Sequence, residues 1–160
     1  HSWLSPPLIK ALTEMHVTGP VIPRGYAASD HARVRVHSVE AFDSSGTLVA
    51  GELGYSVGAI YTSMSGFSEA SDAGTVQCAT LGVHLHACGM QYWDLGMSMD
   101  YKISMGAYEV ARQRFLVILR TVRDVAPSQP LSIGPLLGSD LLCPLLHIKA
   151  PVRQILLPGG

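Results

Sequence analysis

The stretch that decides the fold is residues 36–68, VHSVEAFDSSGTLVAGELGYSVGAIYTSMSGFS. Three runs rich in apolar and β-branched residues are separated by a polar break at 43–46 and by a glycine-containing break at 56–58. Runs of this length between turn residues are typical of neighbouring antiparallel strands. The stretch therefore predicts a three-stranded antiparallel meander. Its strands are expected at residues 33–42, 47–55 and 59–64.

The residues after the meander alternate between helical and extended patterns. Asp72 precedes an apolar run that ends at Gly89, which predicts a helix buried on much of its surface. Residues 90–97 predict a central strand, and residues 111–124 have the apolar and arginine-rich faces of an amphipathic helix. A further helix is expected behind Ser5 and two prolines. This order predicts an α/β (α+β) fold with a mixed central sheet and helices packed on it.

Composition limits the classes of function. The chain has 160 residues, which suits one domain, and 48% hydrophobic residues are ample for a core. Its net charge of −1 provides no basic field for nucleic acid, and no apolar run is long enough to cross a membrane. The three cysteines are an odd, widely spaced set, which favours a cytoplasmic protein with reduced thiols over a disulfide framework. We expect a monomer.

The two ends of the chain are the hardest parts to interpret. The sequence begins at His1 instead of Met, so we expect residues upstream to be missing. Residues 125–160 are rich in Leu, Pro and Gly without a clean period, which predicts an irregular tail after a domain at 1–124. Such a segment is either an extension that packs on the domain or the product of a wrong gene model, and we expect the second.

Six short motifs follow one another between residues 37 and 116: HSVEAF, LVAGELG, YTSMSGFS, WDLGM, SMGA and VARQRFL. Their order and spacing resemble those of the leucyl/phenylalanyl-tRNA-protein transferase family, which carries HS-[VI]-E-V-W, LVGG-x-YG, F-x-GESMFS, D-x-Q, SLGA and R-x-x-[FY]-L. The residues Trp3-Leu4-Ser5 also resemble the family's W-I-T. This resemblance implies a GNAT-like fold in which the 3′ end of an aminoacyl-tRNA lies in a pocket beside the meander.

The resemblance also implies an enzyme, an aminoacyltransferase of the N-degron pathway of protein degradation. The N-terminal α-amine of an acceptor protein would attack the ester of an aminoacyl-tRNA of the Leu/Phe type, giving a peptide bond and free tRNA. Because the ester is already activated, positioning, proton removal and oxyanion stabilisation suffice. Aminoacyl-tRNA is the co-substrate, and no cofactor or metal is expected. His84, His86 and Cys88 predict no metal site, because helical spacing turns His86 away from the other two.

The matching motifs assign candidate site residues. Asp94 matches the aspartate of D-x-Q and is the expected catalytic residue, at a strand end where open α/β sheets bind ligands. The alternative is a buried aspartate that caps a backbone turn. Substrate binding is expected from Trp3, Glu52, Tyr61, Ser65 and Phe67. Trp3 could either stack on the terminal adenosine of the tRNA or cover the core. The aromatic residues Tyr61 and Phe67 could instead belong to the core.

Two family catalytic positions differ in this chain. The glutamate of GESMFS falls on Met64 and the glutamine of D-x-Q falls on Gly96, and neither residue can hold a proton or orient a water. Either the reaction runs with Asp94 and backbone groups, or the chain is a catalytically inactive GNAT-like binding module. A third possibility is an acyl-CoA N-acetyltransferase. Against it, the residues SEASDAGT ahead of the second helix lack the glycines of a pyrophosphate loop.

Glu52 is a further departure, because the family commonly carries an apolar pocket-wall residue at this position. An acidic wall suits a cationic side chain, so the hypothesis is that the donated amino acid is arginine or lysine with Glu52 as counter-ion. The alternative is that Glu52 points to solvent. Both stay open because Gly51 and Gly54 blur which face of the strand is inward.

Overall fold

Six strands form one sheet in the computed structural model of the chain, which describes residues 3–21, 33–131 and 153–158. The strands are β1 (Val34–Phe42), β2 (Leu48–Val57), β3 (Ile60–Ser68), β4 (Tyr92–Met97), β5 (Tyr108–Glu109) and β6 (Arg153–Leu157). The helices are α1 (Pro6–Thr18), α2 (Ala73–Ala87), α3 (Asp100–Ser104) and α4 (Arg112–Val122). None of these described helices is long and apolar enough to span a membrane. The predicted α/β class is confirmed.

The predicted meander is also confirmed, since β1 pairs with β2 and β2 with β3 in antiparallel register. Asp43 shapes the first turn: its Oδ1 accepts hydrogen bonds from the backbone N–H of Ser45 at 2.8 Å and of Thr47 at 2.9 Å. From β3 the chain crosses through α2 to β4, which lies parallel to β3. The sheet order β1-β2-β3-β4-β6-β5 is therefore mixed, as expected.

Helices α2 and α4 cover opposite faces of the sheet. One core cluster joins α2 to the sheet and includes Leu85 and Trp93. The other joins α4 to the sheet and includes Ile118 and Ile155. Successive strand residues point to opposite faces, so Trp93 belongs to the α2 face and its neighbour Asp94 to the α4 face.

Helix α2 is buried on only part of its surface. Val76 and Ala79 are exposed, whereas the polar Gln77 is only 4% exposed. Because the helix is apolar almost all round, its apolar residues do not mark one face, and packing on the sheet decides which side is buried. Asp72 occupies the N-cap position as predicted, although its side chain makes no capping hydrogen bond. The buried apolar residues of α2 are Leu81, Val83 and Leu85.

The prediction of an irregular tail is wrong for residues 153–157. These residues form β6, which lies between β4 and β5 and parallel to both, with Ile155 0% and Leu156 1% exposed. A short parallel strand buried on both faces shows no alternation by which it can be recognised. Of the two alternatives, an extension that packs on the domain describes these residues. The rest of the tail at 132–152 and 159–160 lies outside the described residues.

Candidate functional site

A cavity opens where β3 and β4 separate. Residues 60–62 of β3 pair with residues 92–94 of β4, and beyond them β3 remains paired with β2 while β4 remains paired with β6. The cavity has a volume of about 500 Å³ and is lined by the end of β3, the start of α2, Leu95 of β4 and residues of α3. Ligands of open α/β sheets bind at the carboxyl ends of parallel strands, and this volume suits a small ligand.

The cavity is buried at one end and open at the other. Glu52, Gln77 and Leu95 form the buried end and are 9%, 4% and 5% exposed. Phe67 and Tyr101 stand at the rim and are 45% and 56% exposed. A ligand that enters past the aromatic rim therefore brings its deepest atoms against Glu52 and Gln77.

The carboxylate of Glu52 is held by two hydroxyl groups. Tyr61 Oη donates to Glu52 Oε1 at 2.9 Å, and Ser63 Oγ donates to the same oxygen at 2.8 Å. Trp93 Nε1 in turn donates to Ser63 Oγ at 2.9 Å, which leaves the Ser63 proton for the carboxylate. Glu52 therefore faces the cavity and not the solvent, so the alternative of a solvent-facing Glu52 is wrong.

Glu52 has no positively charged partner among the described residues. Burial raises the pKa of Glu52, and within the described residues no cation lies within 4 Å of its carboxylate. The Gln77 amide is close enough to lower that pKa, yet its Nε2 atom makes no well-formed hydrogen bond to any described residue. Lys102 also lines the cavity, but its Nζ donates to the carbonyl oxygens of Leu95 at 2.6 Å and Met97 at 3.0 Å.

Met64 occupies a β-bulge in the cavity wall. Leu53 of β2 lies opposite Ser65 and Gly54 lies opposite Ser63, so Met64 is the extra residue of β3. Bulges re-aim side chains near functional sites, and Met64 lines the cavity. In the family that the motifs resemble, this position carries a glutamate. Here the thioether of Met64 lines the cavity instead, and a thioether cannot accept a proton at neutral pH.

The structure brings most of the predicted binding residues together. Glu52, Ser65 and Phe67 line the cavity. Tyr61 does not line it: the residue is 1% exposed in the core cluster of Trp93, as the alternative of core packing predicts, and it contacts the site only through its hydrogen bond to Glu52. Trp3 is not among the lining residues and is 54% exposed, so it does not cover the core. Its stacking on a tRNA base stays a prediction.

Asp94 lies outside the cavity lining, on the α4 face of β4. Its Oδ1 accepts the backbone N–H of Gly96 at 2.9 Å, and its Oδ2 accepts the hydroxyl of Thr62 at 3.4 Å. Burial raises the pKa of this carboxyl. Gly96 has a φ of +74° where the register of β4 shifts, so Asp94 supports a backbone turn there. Its catalytic role stays a prediction.

Sequence reasoning missed three polar residues of this site. They are Ser63, Gln77 and Lys102. Gln77 carried a usable signal, because a polar amide inside an otherwise apolar helix indicates a buried group that needs partners. Lys102 carried none, since its role depends on carbonyl oxygens of β4 that only the folded chain places beside it.

His37 is a half-buried histidine of the meander. Its Nε2 lies 2.8 Å from Ser56 Oγ, and its ring centroid is 5.8 Å from that of Tyr61. Burial, followed by the charge of Arg35, lowers the pKa of His37 to about 4. Its neutral form is therefore the one that the fold accommodates.

We expect the free energy of unfolding to fall as the pH is lowered from 7 to 4. Since the folded-state pKa of His37 lies below the unfolded value of 6.5, its contribution is complete above 6.5 and is lost as the pH falls toward about 4. The shift corresponds to ~3 kcal/mol. Urea unfolding across this range should show a shallower pH dependence for His37→Gln than for wild type and for the control His86→Gln. Equal slopes in all three proteins would contradict this expectation.

Comparison with known proteins agrees with the motifs. A family model described as leucyl/phenylalanyl-tRNA protein transferase matches residues 1–120. The transferase of Pseudomonas paraeruginosa is 32% identical over 127 residues, which cover 79% of this chain and 49% of that protein. That of Aromatoleum aromaticum is 34% identical over 126 residues, 79% of this chain and 46% of that protein. That of Psychrobacter cryohalolentis is 30% identical over 146 residues, 87% of this chain and 47% of that protein.

The chain thus spans about half the length of the curated relatives it matches. The matched residues include the meander, α2, β4 and α3, which all contribute residues to the cavity lining. The expectation drawn from the six motifs is confirmed: the chain belongs to the leucyl/phenylalanyl-tRNA protein transferase family.

Proposed function

We propose that this protein is an aminoacyltransferase that moves an amino acid from aminoacyl-tRNA to the N-terminal α-amine of an acceptor protein, as an N-degron reaction. The observation that carries the proposal is the cavity at the separation of β3 and β4. Its walls are built from motifs that the chain shares with its family, LVAGELG, YTSMSGFS and WDLGM. Its volume of about 500 Å³ can hold an aminoacyl group but not a tRNA.

Entry from the rim determines how such a substrate would lie. The ester is joined to the tRNA, so it stays near the exposed aromatic residues while the amino-acid side chain points inward. Phe67 or Tyr101 can stack on the terminal adenine. Lys102 lines the same cavity, and the one N–H of its ammonium that is not bound to Leu95 or Met97 can stabilise the oxyanion that forms when the amine attacks.

We also propose that the fold is GNAT-like, a finer description than the α/β class. An antiparallel meander followed by a parallel crossover supports it, as does the way β3 and β4 pair for only three residues before they separate. This separation is what gives the aminoacyl group a place between the two strands.

The direct test is transfer from tRNA to a peptide. Full-length protein is incubated with Leu-, Phe- or Arg-tRNA carrying labelled amino acid and with a model acceptor peptide. The proposal expects label in a stable peptide bond with the peptide's N-terminus. If the protein neither transfers label nor binds a non-hydrolysable aminoacyl-adenosine, but does bind acetyl-CoA in isothermal titration, the proposal fails.

Asp94 is the proposed catalytic residue, and Asp94→Asn is its test. The amide keeps the size of the side chain and an oxygen for the Gly96 N–H, so the fold should be retained while the charge is lost. We expect transfer to fall roughly 100-fold or more with an unchanged melting temperature, because the variant loses the negative charge at the carboxyl end of β4 but keeps the turn at Gly96. Asp100→Asn, at an exposed carboxylate of α3, is the control. Unchanged turnover in Asp94→Asn would remove Asp94 from the mechanism.

A second candidate function, a catalytically inactive binding module, is favoured by Met64 and Gly96. Met64 places no carboxylate at the bulge, and the φ of +74° at Gly96 strains any side chain introduced there. Such a module would bind an aminoacyl-adenosine but transfer nothing. Met64→Glu separates the two candidates, because transfer gained by this variant alone would assign the inactive module to the wild type.

A further inference from the structure

At the buried end of the cavity, the two hydroxyl donors of the Glu52 carboxylate bind the same oxygen. Both hydroxyl donors bind Glu52 Oε1, and Oε2 makes no hydrogen bond with the described residues. Gln77 Nε2, the other polar group at this end, also has no well-formed hydrogen bond among the described residues although the residue is only 4% exposed. A buried polar atom without a partner, as Gln77 Nε2 is among the described residues, is costly. A ligand that hydrogen-bonds both the Gln77 amide and Glu52 Oε2 would therefore stabilise this end of the cavity.

The arrangement of donors favours the ionised form of Glu52. Ser63 presents its proton to the carboxylate because Trp93 Nε1 occupies its oxygen. The ionised carboxylate accepts from the Tyr61 and Ser63 hydroxyls together, and hydrogen bonds to the charged form favour that form against the cost of its burial.

Only part of an aminoacyl-tRNA can reach Glu52. The ester end is tied to the tRNA outside the rim, so the group that arrives at the buried end is the tip of the amino-acid side chain. An aliphatic tip would cover Oε2 and leave it without a hydrogen bond, at the cost of desolvating a charge. A cationic tip would donate a charge-assisted hydrogen bond to it instead.

No described side chain of the protein supplies a cation to Glu52 Oε2. The ammonium of Lys102 is engaged with the carbonyl oxygens of Leu95 and Met97, and its charge reaches Glu52 without an ion pair. The cavity lining includes both the rim residue Tyr101 and the buried Glu52, and its volume of about 500 Å³ can hold an extended side chain.

We infer that the amino acid received by this cavity has a cationic side chain, arginine or lysine, with Glu52 as its counter-ion; this inference rests on the proposed function. Arginine would place its planar guanidinium against Oε2, and Gln77 can turn its amide to accept a second N–H. The leucine or phenylalanine of the relatives' names would then be a poor substrate for this chain.

The inference can be tested by isothermal titration of the full-length protein with amide-linked, non-hydrolysable aminoacyl-adenosines. The probes are the arginyl, lysyl, citrullinyl and leucyl compounds, because citrulline keeps the shape of arginine without its charge. Wild type should bind the arginyl or lysyl compound roughly tenfold or more tightly than the citrullinyl and leucyl compounds. This comparison needs no variant, so it holds even if a substitution at Glu52 were to impair folding.

Glu52→Gln should lower affinity for the arginyl compound roughly tenfold or more and leave the citrullinyl compound unchanged. Glu40→Gln, at an exposed glutamate of β1, is the matched control and should bind all four probes as wild type does. Leucyl-adenosine binding as tightly as arginyl-adenosine, or an arginyl preference that persists in Glu52→Gln, overturns the inference and leaves the proposed function in place. Failure of all four probes to bind overturns the proposed function itself, and the inference with it.

Discussion

Ile155→Ala is expected to lower the free energy of unfolding by about 4 kcal/mol. Ile155 is 0% exposed in β6 and belongs to the core cluster that joins the sheet to α4. Removing its side chain leaves a cavity between a central strand and a helix, where neighbouring elements have little freedom to close it. Urea unfolding followed by circular dichroism measures the change.

Ile9→Ala is the matched control, because the same atoms are removed from a side chain that is 48% exposed on α1. Its effect should stay within about 0.5 kcal/mol. A version of the chain that ends at residue 152 lacks β6 altogether and should show no cooperative transition, since β4 and β5 lose their common neighbour. Equal effects of the two isoleucine substitutions would mean that residues 153–157 do not belong to the core.

Gly58→Ala is expected to destabilise the protein by about 4 kcal/mol, through backbone geometry instead of lost apolar burial. Gly58 forms the turn between β2 and β3 with a φ of +55°, and a Cβ there would collide with the carbonyl oxygens of Val122 and Arg123 at the end of α4. The turn is bound to this helix end by the Ala59 N–H, which donates to Val122 O at 3.0 Å. The clash is with backbone atoms, so no rotation of a side chain can relieve it.

Gly46→Ala separates the cost of the left-handed backbone conformation from the cost of the clash with α4. Gly46 lies in the turn between β1 and β2 with a φ of +81°, but a Cβ there meets nothing within 4 Å. The control should therefore lose only the about 1 kcal/mol expected for alanine in a left-handed conformation. Thermal unfolding of both variants gives the comparison. If Gly58→Ala is no more destabilised than Gly46→Ala, the contact between this turn and α4 is not as described.

Elements with strong local patterns were predictable. Alternating apolar residues and the Asp43 turn indicated the meander, and the arginine-rich amphipathic pattern of residues 111–124 indicated α4. These signals are local because each strand or helix buries one face and exposes the other. β6 has no such signal: both of its faces are covered, and its partners are separated from it by dozens of residues, so its pairing depends on contacts that no short window contains.

The candidate site also contains residues that the sequence predicted and residues that only the folded chain brings together. The motifs of the meander identified Glu52, Ser65 and Phe67 as neighbours in a cavity wall, and the structure shows them there. Strand alternation places Trp93 and Asp94 on opposite faces of β4, but the sequence contains nothing about which face holds the cavity. That face was decided by α2, which packs on the Trp93 side and brings Gln77 toward Glu52.

By itself, the sequence determined the family, the meander and the presence of an acidic residue in a wall that is commonly apolar. Tertiary structure alone decided that Glu52 is buried and receives both of its hydroxyl donors on one carboxylate oxygen, that Asp94 lies on the other face, and that residues 153–157 join the sheet. The physical reason is that burial and hydrogen-bond satisfaction are properties of groups brought together from distant parts of the chain. A local pattern records what each residue can do, whereas packing decides which partners it has.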